Sequence, residues 1–175
     1  MPPLIFVTGG SRSGKSTFAE ARAKQHARVA YVATSPITDD EMAERIRHHR
    51  ERRPAHWQTI EEQLHVPQVV ETAAQDADCI LVDCITLWIT NLMLAPGQAD
   101  ATDDDILDEV RALCRVAKAC GAEVIVVTNE VGCGIVPDNA LSRRFRDLVG
   151  WTNQTLAAEA DEVHRLTAGI PQRLK

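Results

Sequence analysis

The chain has no apolar run that approaches the roughly 20 residues needed to span a bilayer, and its opening MPPLIFVTGG runs into a glycine loop without a basic leader. An exported or membrane-embedded protein is therefore not expected. Positive charge is not in excess either: 25 Asp and Glu outnumber 19 Lys and Arg, for a net charge of -6. That balance argues against a general nucleic-acid or anionic-membrane surface and requires any anion site to be local. No CxxC pair is present. The five cysteines (Cys79, Cys84, Cys114, Cys120 and Cys133) are odd in number, several lie in apolar runs, and they read as reduced thiols of a cytoplasmic protein. Internal repeats and low-complexity tracts are also missing. With 175 residues, 45% of them hydrophobic, residues 1–175 are read as one domain that buries roughly 70% of the surface its unfolded chain exposes.

What is present is a series of Val- and Ile-rich runs, LIFVTGG (4–10), ARVAYVAT (27–34), CILVDC (79–84) and EVIVVTNE (123–130). Between them lie stretches with helical spacing, such as STFAEARAKQHA and DDILDEVRALCRVAKAC. Unbroken β-branched runs between helices signal buried parallel strands, so the fold class is α/β, a mostly parallel sheet with helices on both faces. Gly121 is expected to stop the 103–120 helix, and APGQADATDDD (95–105) to form an exposed loop. Each apolar run ends in chemically useful residues: GGSRSGKS, Thr34-Ser35, Asp83, and Asn129-Glu130. Ligands of parallel sheets gather at the carboxyl ends of the strands, so these four tips are expected to line one site.

Gly9, Gly10, Ser11, Arg12, Ser13, Gly14, Lys15 and Ser16 match G-x-x-x-x-G-K-[ST] between a strand and a helix, the context that gives the motif its meaning. Glycines let the backbone N–H groups and the helix N-terminus face phosphate oxygens. Lys15 adds a point charge, Ser16 offers a hydroxyl to Mg²⁺, and Asp83 fits the acidic residue that completes the magnesium shell. A strand-end Asp alone is ordinary turn chemistry; beside this loop it reads as functional. No N-K-x-D tetrapeptide is present to read guanine as switch GTPases do, and the chain is short for a nucleic-acid motor. A kinase for a small hydroxyl compound is the better generic reading.

The stretch RIRHHRERRP (45–54) sets His48 and His49 among arginines. From Asp39 to Arg53 the sequence has helix-start acids, then bases, with Pro54 as a stop. On a continuous helix Glu41, Arg45, His49 and Arg53 share one face. Cations a turn away on each side favour a neutral, nucleophilic imidazole, and the same arginines can grip a triphosphate. Attack on an α-phosphorus would then form a covalent nucleotidyl-histidine. Two blander readings stand beside this one: a solvated basic face, and a zinc site from His48, His49, His56 and His65, whose spacing matches no standard ligand pattern. A P-loop small-molecule kinase, or an ATPase switch without a covalent nucleotide intermediate, also remains open on the residues alone.

The combination GGSRSGKS, YVATS (31–35), DDEMAERIRHHRERRPAHW, DCITLW (83–88) with Asn91-Leu92, TNEVGCGIVPDN and RRFRDLVGWTNQ closely resembles the bifunctional adenosylcobinamide kinase/adenosylcobinamide-phosphate guanylyltransferase family of cobalamin biosynthesis. The resemblance implies a RecA-like P-loop sheet, a homotrimer, Mg²⁺, and GTP or ATP as substrate. It implies phosphorylation of adenosylcobinamide, then GMP transfer from GTP through a guanylyl-histidine to give adenosylcobinamide-GDP. In the pattern RI-x-x-H-x-x-x-RP, the matching histidine is His49. The same positional match implies a nucleotide surrounded by Gly9 to Ser16, Thr34, Ser35, Pro36, Arg50, Glu51, Arg52, Arg53, Glu61 and Asp83. It implies Lys15, His49 and Asp83 as catalytic and Ser16 and Asp83 as metal-holding, with no nucleic-acid partner and no membrane insertion. Arg143, Arg144 and Arg146 are read as surface ion-pair partners rather than phosphate ligands.

Overall fold

The structure is a computed structural model that describes residues 1–35, 53–98 and 100–175. The expected helix over Asp39–Arg53, apart from Arg53 itself, lies outside the described residues. In chain order the elements are β1 (Leu4–Gly9), α1 (Lys15–Ala23), β2 (Val29–Ala33), β3 (Gln58–Glu61), α2 (Val66–Ala73), β4 (Cys79–Asp83), α3 (Ile85–Leu94), α4 (Asp103–Ala119), β5 (Glu123–Val127), α5 (Ala140–Glu159), β6 (Glu162–Thr167) and β7 (Ile170–Arg173). The strands form one seven-stranded sheet in the order β3-β2-β4-β5-β1-β6-β7. Every pairing is parallel except β6 with β7.

The four apolar runs become β2, β4, β5 and β1, the centre of this sheet, because only residues apolar on both sides can be covered on both faces. Alternation within each strand splits the core in two. Ile5, Val7, Tyr31, Cys79, Leu81, Ile125 and Val127 pack with Ala19 and Ala23 of α1. Leu4, Phe6, Val32, Ile80, Val82, Val124 and Val126 pack with α2, α3, α4 and α5 through residues such as Val70, Trp88, Leu113 and Leu148. Helices thus cover both faces, unevenly, and the carboxyl ends of β1, β2, β4 and β5 are left to carry polar chemistry.

Three strands were not visible as apolar runs. In β3, QTIE, only Ile60 is even half-buried; β6, EVHRLT, buries only Val163 and Leu166 among polar and charged residues; β7, IPQR, is exposed throughout. These lie at or next to the sheet edges, where polar side chains and proline are tolerated and the hydrophobic signal is weak. The helix expected over 103–120 is borne out as α4, ending within a residue of the expected stop, and the loop expected over 95–105 is cut back to end at Thr102. Asp103 to Asp105 belong to α4 rather than to the preceding loop, because Thr102 and Asp105 form a reciprocal capping box and three acids face the positive end of the helix. Gly121 does not adopt a left-handed cap; α4 ends where Cys120 turns extended, its N–H still bonded to the Val116 carbonyl.

Candidate functional site

The loop after β1 depends on two glycines. Gly9 has φ 152°, and a Cβ there would stand 2.5 Å from the Leu166 carbonyl oxygen and 2.7 Å from Ser13 Oγ. Gly14 has φ 99°, and its Cβ would meet Gly169 Cα at 3.0 Å, so the β6–β7 turn packs directly under the loop. The Gly169 N–H donates to the Ser13 carbonyl at 2.8 Å, tying the two together. No side chain caps α1 and its first turn holds no acidic residue, so its N-terminal dipole faces the loop uncompensated.

Four side chains converge from the middle of β2, the tip of β4 and the first turn of α1. Ser16 Oγ donates to Asp83 Oδ2 at 2.8 Å, and the Tyr31 hydroxyl donates to the same oxygen at 3.1 Å. Buried Lys15 donates from Nζ to the Gly10 carbonyl and, at 3.4 Å, to Ser13 Oγ. Burial lowers the Lys15 pKa, while Asp83, the Cys84 thiol and Glu130 oppose that shift. Burial pushes the Tyr31 phenol well above its ordinary value; the Asp83 charge adds to the push and Arg53 opposes it. Burial and the adjoining Asp83 raise the Cys84 thiol to about 12, so it is no nucleophile at neutral pH.

The remaining expected residues divide. Thr34 is fully buried, and its hydroxyl donates to the Cys84 carbonyl at 2.7 Å while accepting from the Cys84 N–H at 2.9 Å. That hydroxyl therefore clamps β2 to β4. Ser35 follows at the β2 tip, and exposed Glu61 closes β3 opposite Ala33. Arg53 is buried with its guanidinium carbon 3.6 Å from the centre of the Tyr31 ring, a cation–π contact that brings the end of the basic stretch to the tip of β2. Pro36, His48, His49, Arg50, Glu51 and Arg52 lie outside the described residues. His56 and His65 are both exposed.

Sequence reasoning passed over Thr8, whose Oγ1 donates to Glu130 Oε1 at 2.6 Å, and the role of Asn91, whose Nδ2 donates to the carbonyls of Thr34 at 2.8 Å and Gln63 at 3.1 Å. An amide within ITLWITNLML, whose other polar residues are two threonines, was the signal available for Asn91. Arg144 pairs with Asp103 at 2.6 Å and Arg146 with Asp147 at 3.1 Å, while Arg143 donates to the Pro137 carbonyl, in keeping with a structural role for all three. At the opposite end of the sheet His26, Cys79 and Glu123 bring metal-type donor atoms within 4.8 Å of one another. There Arg22 already grips Glu123 through two hydrogen bonds, and burial holds the Cys79 thiol near about 12, so the cluster reads as a buried ion pair.

A glycine loop, a buried lysine, and a serine bonded to a strand-end aspartate bring together backbone N–H groups, a cation and hard oxygen donors, a set chemically suited to phosphate. Comparison with known proteins identifies the family. A family model described as cobinamide kinase / cobinamide phosphate guanyltransferase matches residues 5–174. The chain is 48% identical to the bifunctional adenosylcobalamin biosynthesis protein CobU of Salmonella typhimurium, with 98% of this chain and 99% of that protein covered. It is 43% identical to the protein of the same name from Escherichia coli, with the same coverage. It is also 43% identical to the bifunctional adenosylcobalamin biosynthesis protein CobP of Pseudomonas aeruginosa, over 97% of this chain and 95% of that one. The chain belongs to the cobinamide kinase / cobinamide phosphate guanyltransferase family.

Proposed function

We propose that this chain is a bifunctional enzyme acting as a single domain. It phosphorylates the hydroxyl of adenosylcobinamide with ATP or GTP, then transfers GMP from GTP to the resulting phosphate to give adenosylcobinamide-GDP. The observation that carries the nucleotide half of this reading is the meeting of Lys15, Ser16 and Asp83 at the loop after β1. The corrinoid half rests on the family.

In the first half-reaction the loop N–H groups and Lys15 hold the donor phosphates, and Lys15 balances charge on the transferring group. The donor set beside the loop, one hydroxyl and one carboxylate oxygen 2.8 Å apart, suits a hard divalent cation, so Ser16 and Asp83 are the residues that would hold Mg²⁺. When bound, that ion neutralises charge on the β- and γ-phosphates. In the second half-reaction the His49 imidazole takes GMP, its ring nitrogen bonding to the α-phosphorus as the bond to pyrophosphate breaks. The corrinoid phosphate then displaces the histidine. Arg50, Arg52 and Arg53 provide cationic contacts to the nucleotide, and Ser35, Pro36, Glu51 and Glu61 border it, while enclosed Thr34 stays a clamp between β2 and β4.

The assembly proposed is a homotrimer, for which the exposed side chains of Ile135, Val136 and Leu141 offer apolar surface. No helix among the described residues is long and apolar enough to cross a membrane, and five free cysteines fit the reducing cytoplasm. Incubation with GTP and Mg²⁺ followed by intact-protein mass measurement tests the second half-reaction, with a GMP increment expected. Transfer of γ-phosphate to adenosylcobinamide tests the first. A protein that hydrolyses nucleotide yet yields neither product is a switch or an ATPase instead.

A further inference from the structure

Phosphorylation of a hydroxyl requires that its proton leave, and none of the groups placed so far accepts it. Lys15 and Ser16 are donors, and Asp83 Oδ2 is engaged by two hydroxyls in a carboxylate assigned to the cation. We propose that Glu130 is the general base of the phosphoryl-transfer step. The assignment rests on the reading that the loop after β1 holds the donor triphosphate.

Three observations place it. β5 lies between β1, which carries the loop, and β4, which carries Asp83, so the residues following β5 emerge beside both. The backbone there is held from several sides: the Thr128 N–H donates to the Val7 carbonyl at 3.0 Å and the Glu130 N–H to the Gly9 carbonyl at 3.0 Å. The Asn129 N–H donates to Thr86 Oγ1 at 2.8 Å, and Thr128 Oγ1 to buried Asn153 at 3.0 Å. Finally, the side chain is aimed. Thr8 Oγ1 fixes Oε1 at 2.6 Å, and the carboxylate lies close enough to Lys15 to favour its ammonium form. Oε2 makes no hydrogen bond among the described residues, and the side chain is only half-buried, so one oxygen is held while the other can receive a proton.

Distance argues against the other strand-tip carboxylate, Glu61. Its strand is four places from β1 in the sheet, about 19 Å at the usual spacing of about 4.8 Å, whereas β5 is adjacent. In the step itself, the acceptor O–H bond breaks and its proton passes to Glu130 Oε2. The oxygen bonds to the γ-phosphorus while the bond from that phosphorus to the bridging oxygen breaks, its electron pair leaving with the nucleoside diphosphate. The competing account makes Glu130 a strut whose only work is to hold Thr8 and the loop.

Glu130→Gln, Glu130→Asp and Lys15→Ala, assayed beside the wild type for phosphorylation of adenosylcobinamide, separate these accounts. Gln keeps an oxygen for Thr8 and removes the base, so kcat should fall by about a hundredfold or more while affinity for a non-hydrolysable ATP analogue stays within about threefold. Asp keeps a base one methylene short; it should retain more turnover than Gln. A strut gives the reverse order, Gln surpassing Asp. Wild-type turnover in Glu130→Gln with an inactive Lys15→Ala overturns the assignment of Glu130 alone, and so does loss of nucleotide binding in Glu130→Gln. Wild-type turnover in Lys15→Ala overturns the phosphate-loop reading and the assignment with it.

Discussion

Ser16 and Asp83 stand 67 residues apart in sequence and 2.8 Å apart at their oxygens. The pairing joins the first turn of α1 to the end of β4, and with Tyr31 it gives Asp83 Oδ2 two hydroxyl donors. Asp83→Asn preserves size and one acceptor oxygen but removes the charge. We expect the Mg²⁺ needed for half-maximal activity to rise by about tenfold or more, with turnover partly restored at high Mg²⁺. Titration of activity against Mg²⁺ checks this, and an unchanged midpoint would leave Asp83 a structural strand end.

Tyr31 is the only tyrosine in the chain, so its titration can be followed without interference. The unfolded phenol ionises near pH 10, whereas burial and Asp83 hold the folded phenol well above that. Above about pH 10 the unfolded state therefore binds fewer protons than the folded one, and stability from this group is lost as pH rises toward the folded value. Below pH 10 that contribution is complete. Near-ultraviolet absorbance should show tyrosinate forming near pH 10 in denaturant and only at higher pH in the native protein. Coincident curves would mean that the ring is not buried against Asp83.

Asn91 bridges two loops from a mostly apolar helix, and it is 8% exposed. Asn91→Ala strands the buried Thr34 carbonyl, at a cost of about 1–3 kcal/mol for one unsatisfied acceptor, while water can replace the bond to the carbonyl of exposed Gln63. The loss should appear as an earlier urea midpoint, with exposed Gln75→Ala as a control that stays within about 0.5 kcal/mol. Because Thr34 clamps the Asp83–Cys84 segment, activity should fall at temperatures where the variant is still folded. Stability equal to the control would remove Asn91 from this account.

How much of this could be read from residue order depends on the range of the interactions. The central strands and the glycine loop are written locally, as runs of Val and Ile and as Gly9 and Gly14, and the α/β sheet follows from them. The bonds between Ser16 and Asp83 and between Thr8 and Glu130 are set by the parallel register of β4, β5 and β1, which no local pattern records. Thr34 shows the opposite hazard. A strand-end hydroxyl looks available for ligand, yet once β2 and β4 pair it is enclosed and bonded to Cys84. Edge strands β3 and β7 escaped notice because an edge need not be apolar.

The proposed guanylyltransferase mechanism stands on His49, and the described structure comes no nearer to it than Arg53, four positions on, whose guanidinium rests on Tyr31. With α-labelled GTP the protein should retain label and with γ-labelled GTP it should not, since attack at the α-phosphorus expels pyrophosphate. The linkage should resist alkali and break in acid, because protonating the phosphoramidate nitrogen makes imidazole a good leaving group, a route closed to a serine ester. His49→Ala should lose the adduct and the second half-reaction yet keep phosphorylation, which depends on Lys15, Ser16 and Glu130. His48→Ala should keep the adduct. Label lost in His48→Ala and kept in His49→Ala would move the nucleophile by one position and preserve the mechanism; label kept in both would end it.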